Sequence, residues 1–253
     1  MSSIAVAFRR IRNSVEVVAV LAVAFGGFIY ESTRWFASGL NDYGWWVWEA
    51  ASVDGSRIGP RGESVALTEL VFLLLVFTFL RTRGWTFHDL NLRADLRTLW
   101  HAVALFIVLL AIHVIFFKLT TAFNLISKDA QLVVTSKAMD LIDPDFPSDY
   151  HARMAINLYT WIPSIIVDAF YWEFFLLCYL FKRLDKSSVF AVIGLSAVVR
   201  LLCHFHTGPH GWISILVVSG SMGWYYWKYR NLTVPVIVHT VWNFITFGFY
   251  PAQ

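Results

Sequence analysis

The sequence predicts an all-α fold, a polytopic transmembrane helical bundle of about seven (six to eight) membrane-spanning helices. Hydrophobic residues make up 58% of the chain and charged residues only 15%, whereas a soluble domain carries about 25% charged residues. Mean hydropathy is +0.60. The apolar residues form runs close to the roughly 20 residues that a helix needs to cross a bilayer. No polar stretch between the runs is long enough to fold alone, which predicts one integrated membrane domain.

Seven apolar runs are the candidate spans. In chain order they cover residues 14–36, 64–80, 99–117, 155–181, 189–203, 212–227 and 235–249. The first run follows a basic head and resembles a signal peptide. Because more runs follow and no small-residue cleavage motif ends it, we expect an uncleaved span. We expect the first two spans to form an N-terminal pair within residues 1–80, and residues 81–253 to form the core.

The connectors set the limits of the runs. Residues 37–63 are rich in glycine and tryptophan, as is typical of a membrane interface. A basic connector, residues 81–97, separates the second run from the third. Pro163 is expected to kink the fourth run or to mark its start. The pair Gly208–Pro209 predicts a turn over residues 206–212 before the sixth run, since it is not expected to continue a helix.

The distribution of charge predicts the orientation. Arginine and lysine clusters lie before the first run and after the second, fourth and sixth, whereas residues 118–150 carry five aspartates. By the positive-inside rule, the N-terminus is cytoplasmic and the 118–150 loop lies outside. The net charge of +3 is too small to indicate a nucleic-acid partner. Both cysteines fall in apolar runs, so a disulfide framework is not indicated.

Polar residues within the last four apolar runs are the candidate functional residues. They are Glu173, His204, and the pair His239 and Asn243. An ionisable group inside a membrane span is costly and usually faces a polar cavity with a function. The i,i+4 spacing places His239 and Asn243 on one helical face. A carboxylate or imidazole can take a proton from water, and an imidazole and a carboxamide can stabilise an oxyanion, which suits acyl transfer.

Two further interpretations of these residues stay open. Glu173, His204 and His239 are the ligand types of a divalent metal such as zinc, although no His-Glu-x-x-His motif supports a metal site. Alternatively, Glu173 is a structural carboxylate paired with an arginine or histidine of a neighbouring helix. Arg200 is buried deeply enough in the fifth run to need a carboxylate partner, either Asp168 or Glu173.

Other polar residues have structural interpretations. Asp168 lies five positions before Glu173, does not share its face closely, and is interpreted as a supporting residue. His113 stands alone in the third run and is expected to bond a backbone carbonyl. His206 and His210 flank the predicted turn near an interface, where histidine is common.

The predicted depths of these residues do not match. Glu173 lies nine residues before Lys182, about 13 Å along a helix from its cytoplasmic end, and His239 is at a similar depth. His204 lies 17 residues after Ser187, roughly 25 Å along a helix. If the groups meet, we expect the fifth span to begin outside the bilayer, to tilt strongly, or to re-enter.

These motifs resemble the CAAX-processing and bacteriocin-processing intramembrane proteases, the CPBP or Abi family. The family carries Glu-Glu-x-x-x-Arg, an aromatic followed by His, and His-x-x-x-Asn. Similar segments here begin at Trp172-Glu173, end at Leu201-Leu-Cys-His204, and span His239-Thr-Val-Trp-Asn243. The glycine-bearing segment 220–232 and the connector 85–93 are also similar to parts of the family. The resemblance covers roughly residues 81–249.

The resemblance implies a function with named roles. Glu173 and His204 would activate water, while His239 and Asn243 would stabilise the oxyanion of a peptide bond under attack. The implied protein is a multi-pass intramembrane endopeptidase of the bacterial inner membrane. Its partners would be the lipid bilayer and a membrane-associated peptide or protein substrate, with no certain cofactor. We lean towards a metal-free site, because asparagine is a poor zinc ligand.

Two departures from the family pattern favour an alternative. The first glutamate of the usual pair falls at Trp172, and the usual arginine falls at Leu177. The aromatic residue of the second motif is also missing. These losses are consistent with a catalytically inactive scaffold or immunity factor on the same fold. A small-solute transporter is a third possibility, but the two halves of the chain show no repeat pattern.

Overall fold

The computed structural model describes residues 3–37, 58–122 and 162–248. This part of the chain is helical and contains no strand, which confirms the predicted all-α membrane bundle. The helices are α1 (Ser3–Ala37), α2 (Ile58–Thr82), α3 (Leu96–Ala122), α4 (Ile162–Arg183), α5 (Val189–Cys203), α6 (Gly208–Tyr229) and α7 (Thr233–Gly248). Short 3₁₀ turns, Phe87–Leu90 and Phe205–Thr207, precede α3 and α6.

The helices agree with the predicted runs, with corrections at the ends of three of them. α2 begins at Ile58, inside the predicted loop 37–63, and α3 continues to Ala122, past the predicted start of the 118–150 loop. α5 has the predicted bounds, and segments of α1, α3 and α4 are long and apolar enough to cross a membrane. The predicted turn over residues 206–212 is wrong beyond Thr207, because α6 already begins at Gly208. Proline has no N–H to lose in the first helical turn, so Pro209 starts this helix rather than ending one. The proposed loop 118–150 lies mostly outside the described residues.

α4 is the central helix. Two-thirds of its apolar window is buried, compared with 11% for α3. Every residue from Tyr171 to Phe181 is buried. A helix that is apolar around its whole circumference is expected at the centre of a bundle. By contrast, α2 and α3 expose large apolar side chains such as Leu75 and Ile107, which suits helices that face lipid.

α1 packs closely on α4, and α5 packs closely on α6. α1 inserts the fully buried Phe25 against Trp172, with ring centroids 4.9 Å apart. The hydroxyl of Tyr171 donates a hydrogen bond to the carbonyl of Ala24 at 2.8 Å. α5 packs against α6, where a Cβ at Gly223 would lie 3.3 Å from Ile193. The glycine therefore permits close approach of the two helices that carry His204 and the following turn.

The connector between α2 and α3 ties several helix ends together at one end of the bundle. Asp89 forms an ion pair with Lys182 at the end of α4. The hydrogen bond from this lysine lowers the pKa of Asp89, so the ion pair persists at neutral pH. At the start of α7, Leu232 donates its N–H to the carbonyl of Asn91 at 3.2 Å. These contacts bring the basic ends of α2 and α4 to the same end of the bundle.

This arrangement allows the predicted orientation to be tested by cysteine labelling. Thr82 is exposed at the end of α2, and the native Cys178 and Cys203 are both buried. We expect T82C to react with a membrane-impermeant maleimide only when the cytoplasmic face is opened. S136C, in the proposed external loop, should react in intact cells. Labelling of T82C in intact cells would reverse the predicted orientation.

Candidate active site

The site is built around Glu173, whose side chain is fully buried within α4. Directly after it, the helix widens into a π-helical segment, Phe174–Tyr179. Such segments are rare and occur frequently at functional sites. Here the residues of the π-segment are all buried. The widened turn is therefore held by packing on every side, and Glu173 stands at its beginning.

One oxygen of Glu173 accepts two hydrogen bonds. Arg200 Nη2 and His239 Nδ1 each lie 2.7 Å from Oε1. The second oxygen, Oε2, is buried and accepts no hydrogen bond from the described residues. A buried carboxylate oxygen without a protein donor is the position at which a water molecule is expected to bind. The two bonds to Oε1 thus fix the orientation of the Glu173 side chain and leave Oε2 as the oxygen that could bind a water molecule.

Arg200 has the carboxylate partner that its burial requires. Its side chain is 8% exposed, and it pairs with Glu173 rather than with Asp168. Leu177, which stands where the related family has arginine, is itself fully buried. The guanidinium therefore reaches the carboxylate from α5 instead of from α4. In this structure Arg200 supplies the positive charge that the first motif lacks.

His204 lies beside the site at the end of α5. Its Nδ1 is 2.9 Å from the carbonyl oxygen of Arg200. Since a carbonyl only accepts, Nδ1 carries the proton and Nε2 is the free lone pair of the neutral ring. The ring centroid lies 5.3 Å from that of Trp172. His204 therefore packs against Trp172, the residue that precedes Glu173 in the chain. Its unprotonated Nε2 can accept a proton, as a general base must.

Side-chain directions account for part of the expected depth mismatch. Glu173 precedes the end of α4 by ten residues, and Arg200 follows the start of α5 by eleven, so these two are level. The indole of Trp172 points back along α4 and donates from Nε1 to Asp168 at 2.9 Å. His204 turns back towards Arg200. The rings of Trp172 and His204 therefore meet at a depth between those of their own Cα atoms, because helical side chains lean towards the N-terminus of their helix.

His239 and Asn243 extend from one face of α7 to two carboxylates of α4. His239 bonds Glu173, and Asn243 Nδ2 donates to Asp168 Oδ2 at 2.7 Å. The four-residue separation of His239 and Asn243 covers nearly the same length along α7 as the five-residue separation of the two carboxylates covers along α4. Asp168 is therefore next to the predicted site, in the supporting position that its place in the sequence indicated.

Glu69 of α2 was missed by sequence reasoning. Its side chain is 3% exposed, and its carboxyl interacts with that of Asp168. The signal was available, because Glu69 is an acidic residue five positions inside the predicted second run. It was overlooked because the head of an apolar run commonly carries polar residues.

The remaining polar residues support neighbouring helices. His113 was expected to bond a backbone carbonyl, but its Nδ1 lies 3.1 Å from the hydroxyl of Ser214 on α6. His206 Nδ1 lies 3.0 Å from the hydroxyl of Ser32 on α1. The side chain of His210 is outside the described residues. These histidines join helices at positions apart from Glu173.

The residues around Glu173 do not form a ready metal cage. In the described parts of the chain, no three His, Cys, Asp or Glu side chains are arranged to hold an ion. Glu173 Oε1 already contacts a guanidinium, and a cation placed there would be repelled by that charge. His204 and His239 each use Nδ1 for a hydrogen bond, which leaves Nε2 to bind a water molecule or a metal ion. The guanidinium beside Glu173 Oε1 is thus the feature that disfavours a cation at that oxygen.

Chelation provides a direct test of this point. We expect the hydrolysis that the motifs imply to survive treatment of the purified protein with a strong chelator, because Arg200 supplies the local positive charge. The measurement is activity alongside zinc content by mass spectrometry, before and after chelation. Stoichiometric zinc that leaves with the activity and restores it on return would establish a metal mechanism.

Comparison with known proteins finds one family model that matches part of the chain. Residues 154–245 match the family model described as Rce1-like, type II CAAX prenyl endopeptidase. The match confirms the resemblance inferred from the motifs and indicates a protease of the CAAX type. Such a protease acts on a membrane-associated protein in a lipid bilayer. The matched segment contains all four predicted site residues. No curated protein and no solved structure matches the chain.

Proposed function

We propose that this protein is an intramembrane endopeptidase that hydrolyses a peptide bond of a membrane-associated protein with Glu173, His204, His239 and Asn243. The observation that supports it best is the bonding of Glu173. A fully buried carboxylate within the bundle is fixed by Arg200 and His239 on one oxygen. Its other oxygen is buried, without a hydrogen-bond donor among the described residues.

The proposed chemistry begins with water activation. A water held between Glu173 Oε2 and His204 Nε2 loses a proton to one of them as its oxygen attacks the scissile carbonyl carbon. His204 suits this step because its Nδ1 proton is held by the Arg200 carbonyl. The result is a tetrahedral intermediate with a negative oxygen. On its collapse, the C–N bond breaks and the transferred proton passes to the amine.

The oxyanion would be stabilised from α7. Asn243 has a second N–H beyond the one that it donates to Asp168. His239 donates from Nδ1 to Glu173, and its imidazolium form would also donate from Nε2 to the oxyanion. Donors fixed before the reaction stabilise developing charge without reorganisation, and one such donor contributes about 10²- to 10³-fold in rate.

The substrate class follows from the family match and the membrane setting. A CAAX-type endopeptidase would cut near the C-terminus of a protein anchored at the membrane. The predicted orientation would place the helix ends joined by the α2–α3 connector in the cytoplasm of a bacterial cell. A leader peptide or a sorting signal would present the same chemistry to the site.

The second candidate function is a catalytically inactive scaffold on the same fold. The observation that favours it is the ion pair itself, since a carboxylate bound to arginine is a weaker base than a free one. Complementation separates the two functions. In cells that lack the protein, E173Q should restore a scaffold phenotype fully. If the protein is a protease, only the wild type should restore it.

A further inference from the structure

Asp168 is bonded through both of its carboxylate oxygens. Oδ1 accepts the indole N–H of Trp172 at 2.9 Å, and Oδ2 accepts from Asn243 Nδ2 at 2.7 Å. Asp168 lies on α4, Asn243 on α7, and the ring of Trp172 is next to His204 of α5. One carboxylate thus connects residues from the three helices that carry the candidate catalytic groups.

The bond to Asp168 fixes which way the Asn243 amide points. A carboxylate only accepts hydrogen bonds, so the NH₂ group must face it and the carbonyl must point away. One N–H is then used by Asp168, and the second remains for an oxyanion. If the amide turned by 180°, it would present its carbonyl oxygen where a donor is required, and it would repel an oxyanion.

Asp168 also fixes the indole that lies beside His204 and Arg200. The Trp172 ring is 5.3 Å from the His204 ring, and the Arg200 guanidinium carbon lies 5.7 Å from the indole. An indole free to rotate would release both neighbours. The i,i−4 hydrogen bond to Asp168 holds the indole parallel to the helix in one orientation.

We propose that Asp168 is a positioning residue, which orients the Asn243 amide for oxyanion stabilisation and holds Trp172 against His204. The proposal rests on the proposed hydrolase function for its kinetic consequence, but not for its structural one. Asp168 itself need not touch the substrate. Its effect on the rate passes through the Asn243 amide, while its bond to Trp172 keeps the indole in place beside His204.

The kinetic test uses D168N, N243A and the double variant. We expect D168N to lower kcat by about 10- to 100-fold with KM unchanged, since a misplaced oxyanion donor costs up to the 10²- to 10³-fold of a lost one. In the N243A background, the same change should lower kcat less than about 3-fold, because residues that act as a unit are not additive. D185N, at an exposed position after α4, is the matched control and should match the wild type.

A spectroscopic test does not depend on activity. The side-chain amide ¹⁵N signal of Asn243, assigned by its loss in N243A, should shift in D168N and remain in place in D185N. D168E, which keeps the carboxylate but moves it by one methylene, is measured in the same ways if D168N does not fold. It should also lower kcat, because a displacement of about 1 Å is costly at an active site.

The outcomes separate the two proposals. An unshifted Asn243 signal in a folded Asp168 variant would overturn the positioning role, whatever the protein catalyses. The same holds for an equal loss of kcat in the wild-type and N243A backgrounds. If the signal shifts as expected but E173Q is as active as the wild type, the positioning role stands and the proposed catalytic function fails.

Discussion

E173Q is expected to reduce the kcat of substrate cleavage by about 10³-fold, within the 10²- to 10⁴-fold range of general base catalysis. Glutamine keeps the shape of the side chain and an acceptor for Arg200 and His239. It replaces one of the two carboxylate oxygens with an NH₂ group, which accepts no proton. The rate is measured with purified protein in lipid nanodiscs and a substrate peptide.

The control for E173Q is the same substitution at an exposed site. Glu31 on α1 pairs with Arg34 across one helical turn, with 55% of its side chain exposed. E31Q should cleave at the wild-type rate. Wild-type cleavage by E173Q, in protein that is folded as judged by its melting temperature, would remove Glu173 from the mechanism.

R200M is expected to have the largest effect on stability. It leaves the Glu173 carboxylate buried without its charged partner, which typically costs 3–5 kcal/mol. The side chains of both residues are almost completely buried, so solvent does not compensate for the loss. The free energy of unfolding is measured by denaturant titration in detergent micelles. R97M, an exposed arginine at the start of α3, is the matched control and should change stability by less than about 0.5 kcal/mol.

A double variant identifies the cause. In the E173Q background, R200M should cost clearly less than in the wild type, because the unpaired carboxylate is then absent. An equal cost in both backgrounds would show that Arg200 stabilises the bundle through its packing on Trp172 rather than through the ion pair. R200K should retain the positive charge but lose the geometry of the guanidinium. Its free energy of unfolding should lie between those of the wild type and R200M.

The sequence predicted the fold because membrane spans leave a strong pattern. A helix that crosses lipid must satisfy its backbone internally, so long apolar runs and basic flanks identify spans without knowledge of their packing. The structure gives α5 the same bounds that the sequence predicted. The start of α6 was not, because Gly208–Pro209 breaks a helix in its interior but is accepted in its first turn.

The candidate site could be predicted only in part. Costly intramembrane groups identified Glu173, Arg200, His239 and Asn243, and the structure shows direct bonds between Glu173 and two of them. Spacing along separate helices could not show which carboxylate Arg200 contacts, or that the His204 ring lies against Trp172. Those contacts depend on where side chains lean between helices.

Contributions from the N-terminal helices were the least predictable. α1 packs Phe25 against Trp172, and α2 places Glu69 beside Asp168. The three site motifs all lie within residues 154–245. The local sequence of α1 gives no sign that it contacts the site, and in α2 the acidic Glu69 is the one indication. Long-range contacts of this kind follow from the packing of the whole bundle.

The central claim is hydrolysis of a membrane protein at Glu173. The most direct measurement adds purified protein to membranes from cells that lack it and identifies new protein termini by mass spectrometry. The account predicts that wild-type protein releases at least one new pair of termini from a membrane-associated protein, and that E173Q releases none. New termini produced equally by E173Q, or none produced by the wild type, would contradict it.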